Sequence, residues 1–222
     1  MSEARAGLSF LLLTGGAGER LGLGPMDFLE LAGRPLLCWL ADKAMQVADE
    51  VLVAVPADRV DATAAVLPRC RVMAGGATRQ DSIAVLATQA RGAWLLVHEA
   101  ARPFASLALF RQVIGKARQC GCTGAFLSPA VPVARLRHGR VVEAYAGGEV
   151  GIFHTPQVYA RADRDRMLQL RDAVPGWHAE SPVQLALAAG IDLHAVPGEA
   201  QNLKITTAED WRLAPQLAHL LA

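Results

Sequence analysis

Short apolar runs alternate along the chain with longer amphipathic stretches, and that rhythm predicts most of its elements. Leu8–Leu13 reads as a continuous apolar run, the pattern of a strand buried on both faces of a parallel sheet. Pro35–Val47 has apolar residues near helical spacing and a proline suited to a first helical position. Glu50–Val55 predicts a second strand, Asp58–Leu67 a helix, and "CRVMAGG" a short third strand closed by Gly75-Gly76. Gln80–Arg91 is an amphipathic helix, and Ala93–Val97 an apolar strand ending at His98-Glu99. Ser106–Cys120 and Gly124–Ser128 continue as helix and strand. The rhythm breaks at Pro129–Gly151, where alternating residues flank a His138-Gly139 turn and predict a projecting hairpin. Helices follow at Arg164–Ala173 and Pro182–Ala189, then "IDLHAVPG" as a strand. Thr207–Leu221 is a last helix, with a threonine cap and acids at its positive end.

Strand and helix alternating at short intervals imply an α/β fold, a mostly parallel twisted sheet with helices on both faces. A chain of 222 residues, 52% of them hydrophobic, buries a full core as one domain, residues 1–222, with residues 130–150 projecting as the β-arm. The formal net charge of +1 and the absence of like-charge blocks argue against nucleic acid as a partner. The four cysteines lack zinc-type spacing and read as reduced thiols. No apolar run approaches the ~20 residues of a membrane span, so a cytoplasmic protein without a membrane partner is expected.

Ligands of open parallel sheets bind outside the carboxyl ends of the strands. "TGGAGER", "GGATRQDS" and "HEAARP" all fall at such ends. Glycines after the first strand let the backbone approach a phosphate, and Arg20 adds a permanently charged, bidentate donor. The loop is neither a Walker A loop nor a dinucleotide fingerprint, and by itself is equally compatible with simple turn chemistry.

In combination the segments are more specific. "GGAGERLGLGP", "GGATRQDSI", "VHEAARPF", "TPQ" and "NLKIT" stand in the order and approximate spacing of 2-C-methyl-D-erythritol 4-phosphate cytidylyltransferases, so from about Ser9 to Leu217 the chain resembles that family. The resemblance implies a nucleotidyltransferase-type (Rossmann-like) fold that dimerises through the projecting arm. It implies joining of CTP to a sugar-alcohol phosphate with release of pyrophosphate, using Mg²⁺ held mainly by the CTP phosphates rather than by protein ligands. Gly15, Gly16 and Gly18 then form the CTP-phosphate loop, and Arg20 stabilises charge on the triphosphate. Gly76, Arg79 and Ser82 fall in the cytosine-recognition segment. Glu99, Arg102 and Thr155 lie toward the acceptor, and Lys204 positions its phosphate. Read without the resemblance, Ser82 is a helix cap, Arg102 a surface ion pair and Lys204 a solvated lysine.

The chain also departs from the pattern it resembles. Met26 stands where the family's loop has a lysine, and methionine donates nothing to an oxyanion. Glu99 replaces an aspartate, Val133 a threonine, Gly147-Gly148 an arm arginine, and Glu180-Ser181-Pro182 a family acidic segment. Three readings follow. The chain is a cytidylyltransferase of this type with impaired or modified catalysis, a non-catalytic nucleotide-binding paralogue, or an enzyme for another polyol phosphate.

Overall fold

The structure, a computed structural model, describes residues 7–14, 28–174 and 181–221. Among the described residues, seven strands form one sheet in the order β11-β7-β10-β6-β1-β4-β5. Its centre is β1 (Leu8–Leu13), parallel to β4 (Glu50–Val55) on one side and β6 (Trp94–Glu99) on the other. β5 (Arg71–Ala74) extends the sheet beyond β4, while β7 (Thr123–Leu127) and β11 (His194–Pro197) pair in parallel at the far edge.

Both faces of the sheet are covered, which is why β1 is buried at every residue. Phe10, Leu12, Val53 and Leu96 face α1 (Leu36–Met45) and α4 (Leu107–Cys120). Leu11, Leu13, Leu52, Leu95 and Val97 face α3 (Arg79–Gln89), α5 (Arg161–Ala173) and α6 (Pro182–Ala188). α2 (Val60–Val66) precedes β5, and a small ribbon of β2 (Glu30–Leu31) and β3 (Arg34–Pro35) precedes α1.

The largest departure from the sequence expectation is β10 (Ile152–Ala160), a nine-residue strand lying antiparallel between β6 and β7. Pro156 inside "IFHTPQVYA" argues against a strand, because proline cannot donate to a ladder. The pairing with β7 shifts register between His154 and Gln157, so Pro156 sits where no ladder bond is required of it.

The final helix also differs. α7 (Ala208–Leu213) is capped by Thr207 and Asp210 as a capping box, but Pro215 turns the continuation into a 3₁₀ helix, Ala214–Leu220. α5 begins three residues before the expected Arg164. Arg161 anchors its start by donating to the carbonyls of Ala90 and Gly92.

The hairpin is formed as expected, from β8 (Val133–Arg137) and β9 (Arg140–Tyr145). His138 and Gly139 have φ of 48° and 76°, the left-handed pair of a two-residue turn matched to strand twist. Its apolar residues are bare: Leu136 is 62% and Val141 66% exposed. No helix among the described residues is long and apolar enough to cross a membrane.

Candidate active site

Two neighbouring residues at the end of β6 point in opposite directions. His98 enters the core, its ring 4.9 Å from Phe110 and 6.1 Å from Phe10 by centroid. Burial pushes its pKa down to about 3, so the ring is neutral, and its Nε2 lies 3.0 Å from the Arg102 carbonyl. In the tautomer that carries the proton there, Nε2–H donates to that carbonyl.

Glu99 faces the opposite way, into a cluster of cations. Arg79 Nε is 2.9 Å from Oε1 and Arg102 Nε is 3.5 Å from Oε2. Lys204 Nζ spans the carboxylate, 3.2 Å from Oε1 and 3.1 Å from Oε2. Neither arginine Nε is aligned as a hydrogen-bond donor, so those two contacts are held by charge rather than direction. Burial raises the Glu99 pKa, but Arg79, then Lys204 and Arg102, outweigh it and hold the carboxyl below its usual range. Among the described residues the group is an anion with three cations around it, a local excess of positive charge beside a single carboxylate.

The scaffold explains why these residues meet. Ala100 N donates to Leu13 O, and Ile205 N to Ala101 O, which draws the 199–205 segment against the loop after β6. Arg102 is 9% exposed, so it is no surface ion pair, and its Nη1 donates to Asn202 O at 2.8 Å. Thr155, 2% exposed, accepts from Glu99 N through Oγ1 at 3.4 Å. Lys204 sits in an irregular segment and engages Glu99, rather than standing as a solvated lysine at a strand end.

Arg79 connects this cluster to the glycine segment before α3. Thr78, not Ser82, caps that helix: its hydroxyl accepts from Asp81 N while Asp81 accepts from Thr78 N. Ser82 sits one residue past that pair. Its Oγ accepts from Gly76 N at 3.1 Å and donates to Thr78 O at 3.0 Å. A Cβ on Gly76 would collide with Asp81, and one on Gly75 would lie 2.7 Å from Ser82 Oγ. Close packing on the first turn of α3 therefore demands the glycine at 76, independently of any ligand, while a side chain at 75 would require Ser82 Oγ to shift.

Of the sequence-predicted residues, Arg79, Glu99, Arg102, Thr155 and Lys204 are brought together, with Gly76 and Ser82 one helix turn away. Gly15, Gly16, Gly18, Arg20 and Met26 lie outside the described residues. The strand that leads into them is firmly placed: Thr14 donates to Ala54 O through both N, at 3.2 Å, and Oγ1, at 2.7 Å. Sequence reasoning passed over Asn202, which binds both Arg102 and Thr155. Its place two residues before Lys204 in "NLKIT" was the available signal.

A family model for 2-C-methyl-D-erythritol 4-phosphate cytidylyltransferase matches residues 8–219. The chain belongs to that family. The cytidylyltransferase of Thermus thermophilus is 36% identical, over 96% of this chain and 98% of that protein. The one from Deinococcus radiodurans is 32% identical, over 93% and 88%. The crystal structure of the Thermus thermophilus protein superposes with a TM-score of 0.77 at 30% identity, covering 95% of this chain and 98% of that one. A 4-diphosphocytidyl-2C-methyl-D-erythritol synthase structure from Anaerococcus prevotii shares the fold at a TM-score of 0.85 and 23% identity, covering 96% and 98%. Membership of a nucleotidyltransferase family of isoprenoid synthesis agrees with an α/β sheet whose charged cluster gathers at the carboxyl end of β6.

Proposed function

We propose that the chain transfers the cytidylyl group of CTP to the phosphate of 2-C-methyl-D-erythritol 4-phosphate. An acceptor phosphate oxygen attacks the α-phosphorus of CTP in line. The bond from that phosphorus to the oxygen bridging to the β-phosphorus breaks, and pyrophosphate leaves with the electron pair. The acceptor phosphate is already ionised near neutral pH, so the step needs no general base. It needs positioning and positive charge.

The observation that carries this reading is the Glu99 cluster. In a member of a cytidylyltransferase family, three other segments bring Arg79, Lys204 and Thr155 to Glu99 and its neighbour Arg102: the three cations meet the carboxylate, and Thr155 meets the Glu99 main-chain N. Lys204 and Arg102 would hold the acceptor phosphate, Thr155 would place its oxygens, and Glu99 would keep the cations apart and oriented. Gly15, Gly16, Gly18 and Arg20 would take the triphosphate. Gly76 and Ser82 would present the loop that reads the cytosine. Mg²⁺ would enter with the triphosphate and neutralise part of its charge. Glu99 is the carboxylate in this cluster, and both its oxygens already face cations, which suits an ion held mainly by phosphates.

With Met26 in place of the loop lysine, catalysis would be impaired or modified. One missing donor to the developing charge costs ~10² to 10³ in rate, and Met26→Lys should recover turnover toward that factor. The arm arginines Arg135, Arg137 and Arg140 are the cations available to compensate. Arg135 is already paired with Glu143 at 2.9 Å. Three exposed apolar residues, Leu136, Val141 and Val142, on a two-stranded ribbon support a homodimer built on the arm.

Pyrophosphate release from CTP, Mg²⁺ and the acceptor tests the reading. Measurable wild-type release that rises with Met26→Lys supports it. Release unaffected by that change would assign the missing charge to another cation. Met26 and Val133 also favour a second reading, a nucleotide-binding paralogue that binds CTP and turns nothing over. It is sustained if neither form releases pyrophosphate.

A further inference from the structure

Asn202 is fully buried, and none of its atoms belongs to the groups assigned to the reaction above. It nevertheless touches two of them. Its side-chain Nδ2 donates to Thr155 O at 2.8 Å, and its main-chain carbonyl accepts from Arg102 Nη1 at 2.8 Å. The chain around it is stapled in place. Asn202 N donates to Glu199 O at 3.1 Å and Leu203 N to Gln201 O at 2.7 Å, while Glu199 accepts from the main chain and hydroxyl of Ser106. Two residues on, Lys204 reaches Glu99. One bend of chain thus sets the relative positions of Thr155, Arg102 and Lys204.

The side chain does this at a cost. Among the described residues its Oδ1 is buried without a hydrogen-bond partner, and burying an unpaired carbonyl oxygen is unfavourable. We infer that Asn202 is a positioning residue for the acceptor side of the cytidylyl transfer, holding Thr155 and Arg102 at the spacing that an acceptor phosphate requires. The inference rests on the reaction proposed above, and it separates the two substrates, since the side-chain and main-chain bonds of Asn202 go to Thr155 and Arg102 directly, whereas the segment Gly75–Ser82 is reached only at one remove, through Arg79 and Glu99.

The test is steady-state kinetics on Asn202→Ala, which removes the donor to Thr155 O and leaves the main-chain acceptor for Arg102. KM for 2-C-methyl-D-erythritol 4-phosphate should rise about tenfold, because a small displacement of positioning groups is felt strongly, whereas KM for CTP should stay within about twofold. Asn202→His, whose ring N–H can stand in for the amide donor, should recover part of the loss. Equal changes in both KM values, no change in either, or a histidine variant no better than alanine would overturn the inference. Where Asn202→Ala does not fold, the isosteric Asn202→Asp is read in the same way. Failure of both to fold would make the residue structural and likewise overturn the inference. If the wild-type protein releases no pyrophosphate, the function is what has failed. The positioning role is then read by calorimetry with inorganic phosphate, which should bind wild type and not Asn202→Ala, while CTP binds both; equal phosphate binding would refute it.

Discussion

The Glu99 cluster and the β8–β9 arm sit at opposite extremes of self-sufficiency. In the cluster every charged group meets a partner from its own chain: Arg79, Arg102 and Lys204 share one carboxylate, and Asn202 ties two of the segments together. The arm keeps its own ladder and one ion pair, Arg135 to Glu143, but leaves Leu136, Val141 and Val142 bare. Buried charge must be paired where it lies, because an unpaired ion in a poorly polarisable interior is expensive. Exposed apolar surface can wait for a partner. The cluster is therefore read as a preassembled anion site and the arm as an unfinished contact, and the two should respond to perturbation separately.

The largest effect is expected in the cluster. Arg102→Ala or Lys204→Ala should lower cytidylyl transfer by ~10² to 10³, with sedimentation unchanged. A change in association state on either substitution would break the separation of the two regions. Deleting Leu136–Val142 should instead convert a dimer to monomers, as followed by sedimentation at micromolar concentration. A wild-type protein that is already monomeric there would remove the arm's assigned role.

A smaller effect concerns acid. The pKa of His98 is lower in the folded chain, about 3, than the ordinary 6.5, so its contribution to stability is present above pH 6.5 and is lost as pH falls toward 3. His154, lowered to about 4 by burial and then by Arg102, acts in the same direction. The depressed Glu99 carboxyl adds stability above its ordinary 4.5 that is lost in more acidic solution. His98→Gln, which keeps a side-chain N–H for Arg102 O, should flatten the fall in melting temperature between pH 6.5 and 4 relative to wild type. Parallel curves for the two proteins would place the acid-sensitive groups elsewhere. The smallest effect is Thr78→Ala, which removes the cap of α3 and should cost about 1 kcal/mol in a denaturant titration, with a modest loss of CTP affinity.

Where local pattern and burial agree, the elements were legible. β1 and β4 were placed to the residue. β10 was not, because Pro156 argues against a strand and only the register shift beside it makes the proline tolerable. The residues of the cluster were named through family resemblance, but their mutual contacts were not legible, since Arg79, Thr155 and Lys204 are brought to Glu99 by tertiary pairing alone. Asn202 was missed because a buried amide in a bend has no periodic signature. Its role appears only when its two partners are seen.

All of this depends on the cluster serving a phosphate acceptor in a working transferase. Phosphorus NMR of the purified protein incubated with CTP, Mg²⁺ and 2-C-methyl-D-erythritol 4-phosphate tests it most directly. Slow growth of paired diphosphate-diester resonances together with pyrophosphate is expected, with neither appearing when Lys204→Ala replaces wild type. Unchanged CTP and acceptor resonances, in a protein that still binds CTP, would contradict it.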